Sequence, residues 1–383
     1  MLREFVMPEI NWFGSKSITK IPELIAQKDG NKALIITDKN LTVCGISKRI
    51  EDVLDESHIR WIRYDGVRPN PTKSNVYEAL SILKNEKCDV IIGVGGGSPN
   101  DCAKAVSILA ANGGEIEDYV GFNRSEKNGI PIIAVNTTAG TASEISRAYL
   151  ITDEDKQEKI ICKDIHALPY ASVNDQDLMV GLPAHVTAET GMDALSHALE
   201  SYVCNNSSCL TQELAVGAMH LIFNSLREAI SEPVNLVYRE RMSYAQSLAG
   251  MAFCNSGVGL DHAIAHALGA LYDLSHGLCT AIVLPGVIRF NRRKVEKLYA
   301  ELGRRLFPEK CLGLSEEECA DEFLNEVIDL SQQIGTYKKL AEVGVKESEL
   351  PEIAEKALND GNIGRNPLIP DKKELIDILC EML

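Results

Sequence analysis

The sequence predicts an α/β domain followed by an all-helical domain, and three observations support this fold class. Up to about residue 180, short β-branched runs alternate with segments of helical period. Such alternation is typical of βαβ units and a mostly parallel sheet. From Pro183 onward, apolar residues recur with a helical period and no convincing strand interrupts them. We therefore expect one domain over residues 1–181 and another over residues 182–383.

The individual elements follow from the same patterns. Seven runs rich in Ile, Val and other strand-forming residues are the expected strands: Ala33–Thr37, Ile59–Tyr64, Asp89–Val94, Ile130–Val135, Tyr149–Thr152, Lys159–Cys162 and Ala171–Asn174. Helices of the first domain are expected near 45–55, 73–86 and 101–112. In the second domain, the apolar period predicts helices over Ala184–Cys204, Gln212–Ile230, Leu236–Phe253 and Glu316–Ile334.

Composition excludes several classes of partner. The formal net charge is −16, which disfavours nucleic acid and anionic membranes, because both need clustered cations. The basic stretch Arg289–Arg305 contains Glu296 and Glu301, so it is expected to be a solvated helix face. No apolar run approaches the roughly 20 residues of a membrane span, and the N-terminus lacks signal-peptide features. Eleven cysteines without a C-x-x-C pair favour reduced thiols in a cytoplasmic protein.

A glycine-rich turn after the third expected strand is suited to phosphate. The run from Asp89 to Asp101 passes from buried-strand composition through Gly95, Gly96 and Gly97 into an expected helix, Cys102–Ala111. Glycines let backbone N–H groups approach a pyrophosphate, and a helix N-terminus adds positive potential. The spacing departs from the Rossmann fingerprint, and a tight turn without a ligand is the alternative.

Two other segments of the first domain strengthen the interpretation of the glycine-rich turn as a phosphate site. Asp38 ends the first expected strand, where a carboxylate can accept hydrogen bonds from ribose, although a simple helix cap is the alternative. The run Thr137-Thr-Ala-Gly-Thr141-Ala-Ser143 follows another strand and offers hydroxyls and backbone donors. Together these features predict that the first domain is a Rossmann-like, dinucleotide-binding domain.

Histidines concentrate in the second domain. His262, His266 and His276 fall within 15 residues, and Asp193 and His197 lie four apart on one expected helix. One carboxylate and several imidazoles suit Fe²⁺, Zn²⁺ or Mn²⁺, and the sequence does not choose among these ions. A single helical histidine is more often an ordinary core or surface residue, but the set predicts a metal site. Cys254 and Cys279 flank it and are expected to be packed thiols.

With these residues in view, the chain resembles the iron-containing (group III) alcohol dehydrogenase family. Four segments carry the resemblance: Gly95-Gly-Gly-Ser-Pro-Asn-Asp101, Asn136-Thr-Thr-Ala-Gly-Thr-Ala-Ser-Glu144, Thr190-Gly-Met-Asp-Ala-Leu-Ser-His-Ala-Leu-Glu200 and the histidine segment 262–277. The similarity runs nearly end to end. Within the family, Lys159-Ile-Ile-Cys-Lys-Asp-Ile-His-Ala-Leu-Pro169 is most similar to the lactaldehyde (1,2-propanediol) reductase branch.

The resemblance implies roles for individual residues. Fe²⁺ is the favoured ion, with Zn²⁺ or Mn²⁺ as alternatives, and its implied ligands are Asp193, His197, His262 and His276. His266 is implied to lie near the substrate and to assist proton transfer. Asp38 and Asn70 are placed near the adenosine half of the dinucleotide, and an acidic residue at Asp38 favours NAD(H) over NADP(H). The rest of the cofactor is expected to contact Gly96, Gly97, Ser98, Asp101, Thr137, Thr138, Thr141, Ser143 and Lys159.

The chain departs from the family pattern at positions that are not ligands. Ala142 replaces the second glycine of the threonine loop, and Asp261 stands before His262 where a small or apolar residue is commoner. Ser275 replaces a proline, and Cys279-Thr280 replaces a small residue and an asparagine. Asp261 adds a carboxylate beside the expected metal, where it could orient an imidazole or alter the choice of metal.

The leading hypothesis is a metal- and NAD(H)-dependent alcohol dehydrogenase or aldehyde reductase, with its reaction in the cleft between the two domains. Its partner would be a small, polar alcohol or aldehyde. Phe253 is a candidate wall of the substrate pocket, with ordinary core packing as the alternative. The expected assembly is a homodimer or higher homo-oligomer. Two alternatives remain: a dehydroquinate-synthase-like lyase that uses NAD and a metal, and a non-catalytic metal- or nucleotide-binding protein.

Overall fold

The computed structural model describes residues 2–156 and 158–383, which divide into two compact units. One unit is Phe5–Val180 and carries the β-sheets, whereas the other is Gly181–Leu383 with the described residues up to Glu4 and is helical. The expected fold class, a parallel α/β sheet followed by a helical region, is confirmed.

A six-stranded parallel sheet forms the centre of the α/β unit. Its strands are β1 (Ile10–Phe13), β2 (Lys32–Ile36), β3 (Arg60–Tyr64), β4 (Val90–Gly95), β6 (Ile132–Asn136) and β9 (Ala171–Asn174). Their spatial order is β1-β9-β6-β4-β2-β3, and every neighbouring pair is parallel. The half-buried edge strand β1 was not among the expected strands, because its four residues form too short a pattern to stand out.

A second, three-stranded sheet was not predicted from the sequence. It contains β5 (Gly121–Phe122), β7 (Ala148–Asp153) and β8 (Glu158–Lys163) in the order β5-β8-β7. The strands expected at 149–152 and 159–162 therefore do not join the main sheet. They pair antiparallel with each other, with Tyr149 opposite Cys162. The connection between them is too short for the crossover that a parallel pair requires.

The helices of the α/β unit lie between its strands. They are α1 (Ile21–Ala26), α2 (Lys39–Val43), α3 (Ile46–Glu56), α4 (Lys73–Glu86) and α5 (Gly97–Asn112). Helix α5 begins at Gly97, whereas the sequence predicted a start at 101 or 102. Pro99 fits this first turn because the N–H groups there have no partner within the helix. Gly97, the last glycine of the run, is therefore the first residue of α5.

The helical unit contains nine helices among its described residues. They are α6 (Ala184–Val203), α7 (Cys209–Phe223), α8 (Leu226–Ser231), α9 (Leu236–Ser256), α10 (Leu260–Tyr272), α11 (His276–Leu306), α12 (Glu316–Gln333), α13 (Leu350–Leu358) and α14 (Lys372–Glu381). The single helix expected over Gln212–Ile230 is wrong, because the chain breaks between α7 and α8. At this break the Asn224 amide donates to His220 O at 2.7 Å, and Ser225 leaves the helical conformation.

Helix α11 carries the basic stretch of the sequence. It is interrupted at Val295, whose backbone is not helical. Arg292 pairs with Glu296 at 3.3 Å, and Arg305 pairs with Glu301 at 3.8 Å, each four residues apart. The expectation of a helix face with intrahelical ion pairs is confirmed.

The hydrophobic cores are formed by residues on the two faces of the sheet and by the buried faces of the helices. In β2, Leu34 and Ile36 face one apolar cluster, whereas Ala33 and Ile35 face another on the opposite side. A third cluster forms around α10 and the helices packed on it. Across residues 2–156 and 158–383, the structure has no helix that is both long and apolar enough to span a membrane.

Candidate metal and dinucleotide sites

Three helices supply the predicted metal ligands. Asp193 and His197 lie one turn apart on α6, His262 lies in the first turn of α10, and His276 is the first residue of α11. Side chains four residues apart project from the same helix face, as the sequence predicted for Asp193 and His197.

The structure brings three of these side chains into one cluster. The ligand atoms of Asp193, His262 and His276 all lie within 4.8 Å of one another. Asp193 Oδ1 is 3.4 Å from His276 Nε2 and 4.0 Å from His262 Nε2. Ligand atoms about 2.1 Å from a common ion lie roughly 3–4 Å apart, so these two spacings are compatible with a metal site. His197 adjoins the cluster, with Nδ1 3.9 Å from Asp193 Oδ2 and its ring centroid 4.5 Å from that of His262.

Two buried atoms indicate that the donor set fits a cation. Asp193 Oδ1 and His262 Nε2 have no hydrogen-bond partner among the residues that the structure describes. Leaving a buried polar atom without a partner costs about 1–3 kcal/mol, and more for a charged group. One carboxylate with neighbouring imidazoles is a donor set for divalent first-row ions. The residues present therefore fit such an ion.

Burial and neighbouring charges shift the pKa values of Asp193 and His262. Burial raises the pKa of Asp193 to about 7, against the attraction of His262. Burial also acts to lower the pKa of His262, but Glu200, Asp193 and Asp261 outweigh it and raise that pKa to about 9. A bound cation would lower both pKa values, because it favours ionised carboxylate and neutral imidazole.

Glu200 orients His262, a role that the sequence interpretation missed. Its Oε2 lies 2.7 Å from His262 Nδ1, so the opposite ring nitrogen is directed into the cluster. Its Oε1 accepts a hydrogen bond from the backbone N–H of Asp261 at 2.7 Å. The carboxylate side chain of Asp261 instead accepts from the Ser196 hydroxyl. Thus Glu200, one helical turn after His197, is the imidazole's partner, whereas the sequence had suggested Asp261.

His266 lies beside the cluster and not within the three-residue group. Its ring stacks on that of His276, with centroids 5.3 Å apart and an interplanar angle of 24°. Its Nδ1 lies 2.7 Å from Asp360 Oδ2. Burial acts to raise the pKa of Asp360, but the hydrogen bond and charge of His266 lower it below its ordinary value. Asp360 is 94 residues away in the chain, and no local pattern pointed to it.

Phe253 contacts a predicted ligand directly. Its ring stacks on His197, with centroids 4.1 Å apart, and is only half-buried. Cys254 and Cys279 are both buried and neither is in a disulfide bond, as expected for packed thiols. Burial raises the pKa of Cys279 to about 12, which leaves the thiol protonated at neutral pH.

The start of α11 is fixed against α6. The Ser275 hydroxyl caps α11 by accepting from Leu278 N–H at 3.4 Å, and it donates to Glu189 Oε2 at 2.5 Å. A Cβ placed on Gly277 would lie 2.4 Å from Glu189 O. This glycine therefore permits the close approach that brings His276 to Asp193.

In the α/β unit, the three predicted cofactor segments meet at one edge. Strands β6, β4 and β2 are neighbours in the parallel sheet, and their carboxyl ends lead into the threonine loop, the glycine turn and Asp38 respectively. Carboxyl ends of parallel strands are the usual position for nucleotides in open α/β sheets.

The glycine turn packs against the threonine loop. A Cβ on Gly96 would lie 2.9 Å from Thr138 Oγ1, and one on Gly97 would lie 3.2 Å from Thr141 Cγ2. Thr138 Oγ1 is buried and has no hydrogen-bond partner among residues 2–156 and 158–383. The Thr137 N–H donates to Gly95 O at 3.2 Å, which joins the two loops. The half-buried Ser98 lies in the first turn of α5.

Asp101 and Ser143 belong to a buried network centred on Lys104, which the sequence interpretation missed. Ser143 Oγ donates to Asp101 Oδ1 at 2.6 Å, and Lys104 Nζ lies 2.7 Å from Ser143 Oγ and 2.7 Å from Ala148 O. Asp101 Oδ2 accepts from Leu150 N–H at 3.0 Å. These contacts tie α5 to the threonine loop and to β7.

Of the remaining predicted cofactor residues, Asp38 lies at the start of α2, whereas Asn70 and Lys159 contact each other. Asp38 caps α2, with Oδ1 accepting from Leu41 N–H at 2.9 Å, so the helix-cap alternative holds for that oxygen. Lys159 Nζ donates to Asn70 Oδ1 and to Thr152 Oγ1, each at 2.9 Å. Asn70 has a left-handed backbone with φ of 56°. Lys159 and Asn70 are therefore brought together across 89 residues of sequence.

Known proteins resemble this chain over its whole length. Residues 8–176 match the family described as iron-containing alcohol dehydrogenase, and residues 187–383 match the C-terminal part of the Fe-containing alcohol dehydrogenase family. The 1,3-propanediol dehydrogenase of Klebsiella pneumoniae is 40% identical over 98% of this chain and 97% of its own. The lactaldehyde reductase of Escherichia coli K12 is 36% identical, with 99% of each chain covered.

A solved structure agrees with these sequence relatives. The alcohol dehydrogenase from Oenococcus oeni is 37% identical, with a TM-score of 0.97 and 100% of both chains covered. The predicted resemblance to the iron-containing alcohol dehydrogenase family is confirmed, and a lactaldehyde reductase is among the relatives, at lower identity than the 1,3-propanediol dehydrogenase. The chain belongs to the iron-containing alcohol dehydrogenase family and is an oxidoreductase of the alcohol dehydrogenase class.

Proposed function

We propose that this chain is a divalent-metal- and NAD(H)-dependent alcohol dehydrogenase that interconverts a small, polar alcohol and its aldehyde. The observation that carries the proposal is the cluster of Asp193, His262 and His276, in which two buried donor atoms have no hydrogen-bond partner among the described residues. Membership of the iron-containing family makes Fe²⁺ the first ion to test.

The ion would be held by Asp193, His197, His262 and His276. When bound, it would polarise the substrate oxygen, and the nicotinamide would accept or supply the hydride. Asp193 would give the site its single anionic ligand, so the ion would keep a net positive charge. Glu200 would hold His262 in the tautomer that presents Nε2, and the Ser275 cap would fix the start of the helix that carries His276.

The carboxyl edge of the parallel sheet would bind the dinucleotide. Gly96, Gly97 and Ser98 would offer backbone N–H groups to the pyrophosphate at the start of α5. The buried Thr138 hydroxyl would donate to the same cofactor, with Thr137 and Thr141 in the same loop. Asp101 and Ser143 would shape that loop through Lys104, and Asn70 with Lys159 would line the adjoining strand ends.

Asp38 would select NAD(H) over NADP(H). Its carboxylate stands after β2, next to the glycine turn in the sheet order. A carboxylate there accepts hydrogen bonds from ribose hydroxyls and repels the 2′-phosphate of NADP.

The substrate would be a short hydroxyaldehyde or its diol. The support is the pair of relatives named for 1,3-propanediol and lactaldehyde, which align over nearly the whole chain. Phe253, half-buried against His197, would present an apolar surface beside the carbon chain of such a substrate. His266 would transfer the hydroxyl proton.

The test is an anaerobic assay of metal-free protein. NADH absorbance is followed with glycolaldehyde, lactaldehyde, 3-hydroxypropanal, butanal, succinic semialdehyde and sulfoacetaldehyde, with or without Fe²⁺, Zn²⁺ or Mn²⁺. We expect NADH consumption that requires the metal and is fastest with a short hydroxyaldehyde. Absence of consumption with every aldehyde and every ion, with NADPH as well as NADH, would refute the proposed function.

A further inference from the structure

Two histidines of α10 are each held by a carboxylate at the same ring atom. His262 Nδ1 lies 2.7 Å from Glu200 Oε2, and His266 Nδ1 lies 2.7 Å from Asp360 Oδ2. For His262 this contact directs Nε2 toward the metal cluster. His266 lies outside the three-residue cluster, so its carboxylate partner must serve another purpose.

Asp360 is itself firmly placed. It follows α13, its backbone N–H donates to Ala357 O at 3.2 Å, and its Oδ1 accepts from Asn362 N–H at 2.7 Å. Its side chain is only 6% exposed. One carboxylate oxygen is therefore anchored to the backbone, while the other contacts the imidazole. Such a carboxylate fixes both the orientation and the tautomer of a histidine.

The contact leaves the opposite ring atom of His266 available. Among the described residues, the bond to Asp360 is the only hydrogen bond that His266 makes. The side chain is 14% exposed, and its ring stacks on that of the predicted ligand His276. With the proton of the neutral ring held on Nδ1, the lone pair resides on Nε2. An imidazole in this state can accept a proton.

We infer that Asp360 is a positioning residue for His266 in proton transfer. The inference rests on the proposed function. In alcohol oxidation, His266 Nε2 would accept the proton of the substrate hydroxyl, and NAD⁺, when bound, would supply the hydride acceptor. The imidazolium keeps its Nδ1–H on Asp360 and releases the Nε2 proton to water. The balance is alcohol and NAD⁺ giving aldehyde, NADH and one proton.

A double-mutant cycle tests this role. Asp360→Asn, His266→Ala and the double variant are compared with the wild type for kcat and KM, using metal-loaded protein, NAD⁺ and 1,2-propanediol or 1,3-propanediol. We expect Asp360→Asn to lower kcat about tenfold or more, with a much smaller change in KM, because general acid–base groups contribute on the order of 10²–10⁴. In the His266→Ala background, Asp360→Asn should have no further effect.

A matched control separates positioning from folding. Glu349 Oε2 accepts from the hydroxyl of Tyr272, on the same helix α10, at 2.8 Å. Glu349→Gln removes a comparable carboxylate, and kcat should stay at the wild-type value. Metal content and the midpoint of thermal unfolding are measured for every variant, and neither should differ between Asp360→Asn and Glu349→Gln.

A measurement on the wild-type protein keeps the inference testable if Asp360→Asn does not fold. In zinc-loaded protein with ¹⁵N-labelled histidine, the His266 resonances, assigned by their loss in His266→Ala, should report a proton on Nδ1. A neutral ring protonated on Nε2 would overturn the inference. So would a kcat of Asp360→Asn equal to that of Glu349→Gln, or an equal loss in both backgrounds. A wild type inactive in both directions would overturn the proposed function and this inference together.

Discussion

Glu200 and Asp360 contact the imidazoles of His262 and His266 on α10 and orient these two rings. Each carboxylate contacts Nδ1 of a histidine at 2.7 Å. Such partners raise ligand basicity and fix the tautomer. Neither residue could be assigned this role from the sequence, because the contacts span 62 and 94 residues. The shared helix face of Asp193 and His197, both proposed ligands, was predictable, because helix periodicity alone puts both side chains there.

Glu200→Gln tests the role of the buried carboxylate. The amide keeps the size of the side chain but loses the charge that holds His262. We expect the dissociation constant for Zn²⁺ to rise about 10- to 100-fold, as measured by competition with a chromophoric chelator. Glu349→Gln, which removes a carboxylate contact elsewhere on α10, should leave it unchanged. Equal affinities for Glu200→Gln and wild type would contradict this role.

Asp38 has a structural role at the start of α2 and a proposed role in selecting the cofactor. Its Oδ1 caps α2, and its charge stands where the ribose of the dinucleotide is proposed to lie. Asp38→Asn preserves an acceptor for the cap while removing the charge, so the preference of kcat/KM for NADH over NADPH should fall while unfolding is little changed. Asp38→Ala should also lower the free energy of unfolding by about 0.5–2 kcal/mol through loss of the cap. An unchanged preference in both variants would refute the assignment of Asp38.

At the scale of elements, the close approach of α11 to α6 positions His276. Gly277→Ala would place a methyl group 2.4 Å from Glu189 O and force the helices apart. We expect a loss of about 1–3 kcal/mol in the free energy of unfolding and weaker Zn²⁺ binding. Gly269→Ala is the control, since its methyl group would meet only Leu274 O at 3.7 Å. Equal behaviour of the two variants in chemical denaturation would contradict this packing argument.

The threonine loop turns through Ala142, which has a left-handed backbone with φ of 50°. This conformation costs an L-residue about 1–2 kcal/mol and suits glycine, which explains why the family places glycine here. Ala142→Gly should change the free energy of unfolding by less than about 1 kcal/mol. Ala142→Val should lower it by more than that, because branching at Cβ worsens the strain. A valine variant as stable as the glycine variant would show that the loop does not need this conformation.

Elements were predictable where the pattern is long and local. The buried strands β2 and β4 and the helix α6 came close to their predicted bounds. The antiparallel pairing of β7 with β8 was not predicted, because strand composition does not reveal the partner strand. The break between α7 and α8 was missed because apolar residues continue across it while Asn224 ends the first helix.

At the scale of the whole molecule, the proposed dehydrogenase activity depends on a cation held by the helical unit. Without an ion, the pKa of Asp193 is about 7 and that of His262 about 9. Both groups must lose their protons to bind a metal, so binding releases protons and weakens as pH falls from about 9 toward 6. Sequence spacing predicted a metal site among these residues, but not the burial that sets these pKa values, because burial depends on how α6, α10 and α11 pack.

The most direct test is a calorimetric titration of metal-free protein with Zn²⁺, in buffers of different ionisation enthalpy. We predict one tight site per chain, proton release near pH 7 and tighter binding at pH 8.5 than at pH 6.5. Asp193→Ala should abolish the site while the protein stays folded. Binding with the same stoichiometry and affinity in Asp193→Ala, or no tight site in the wild type, would contradict the account.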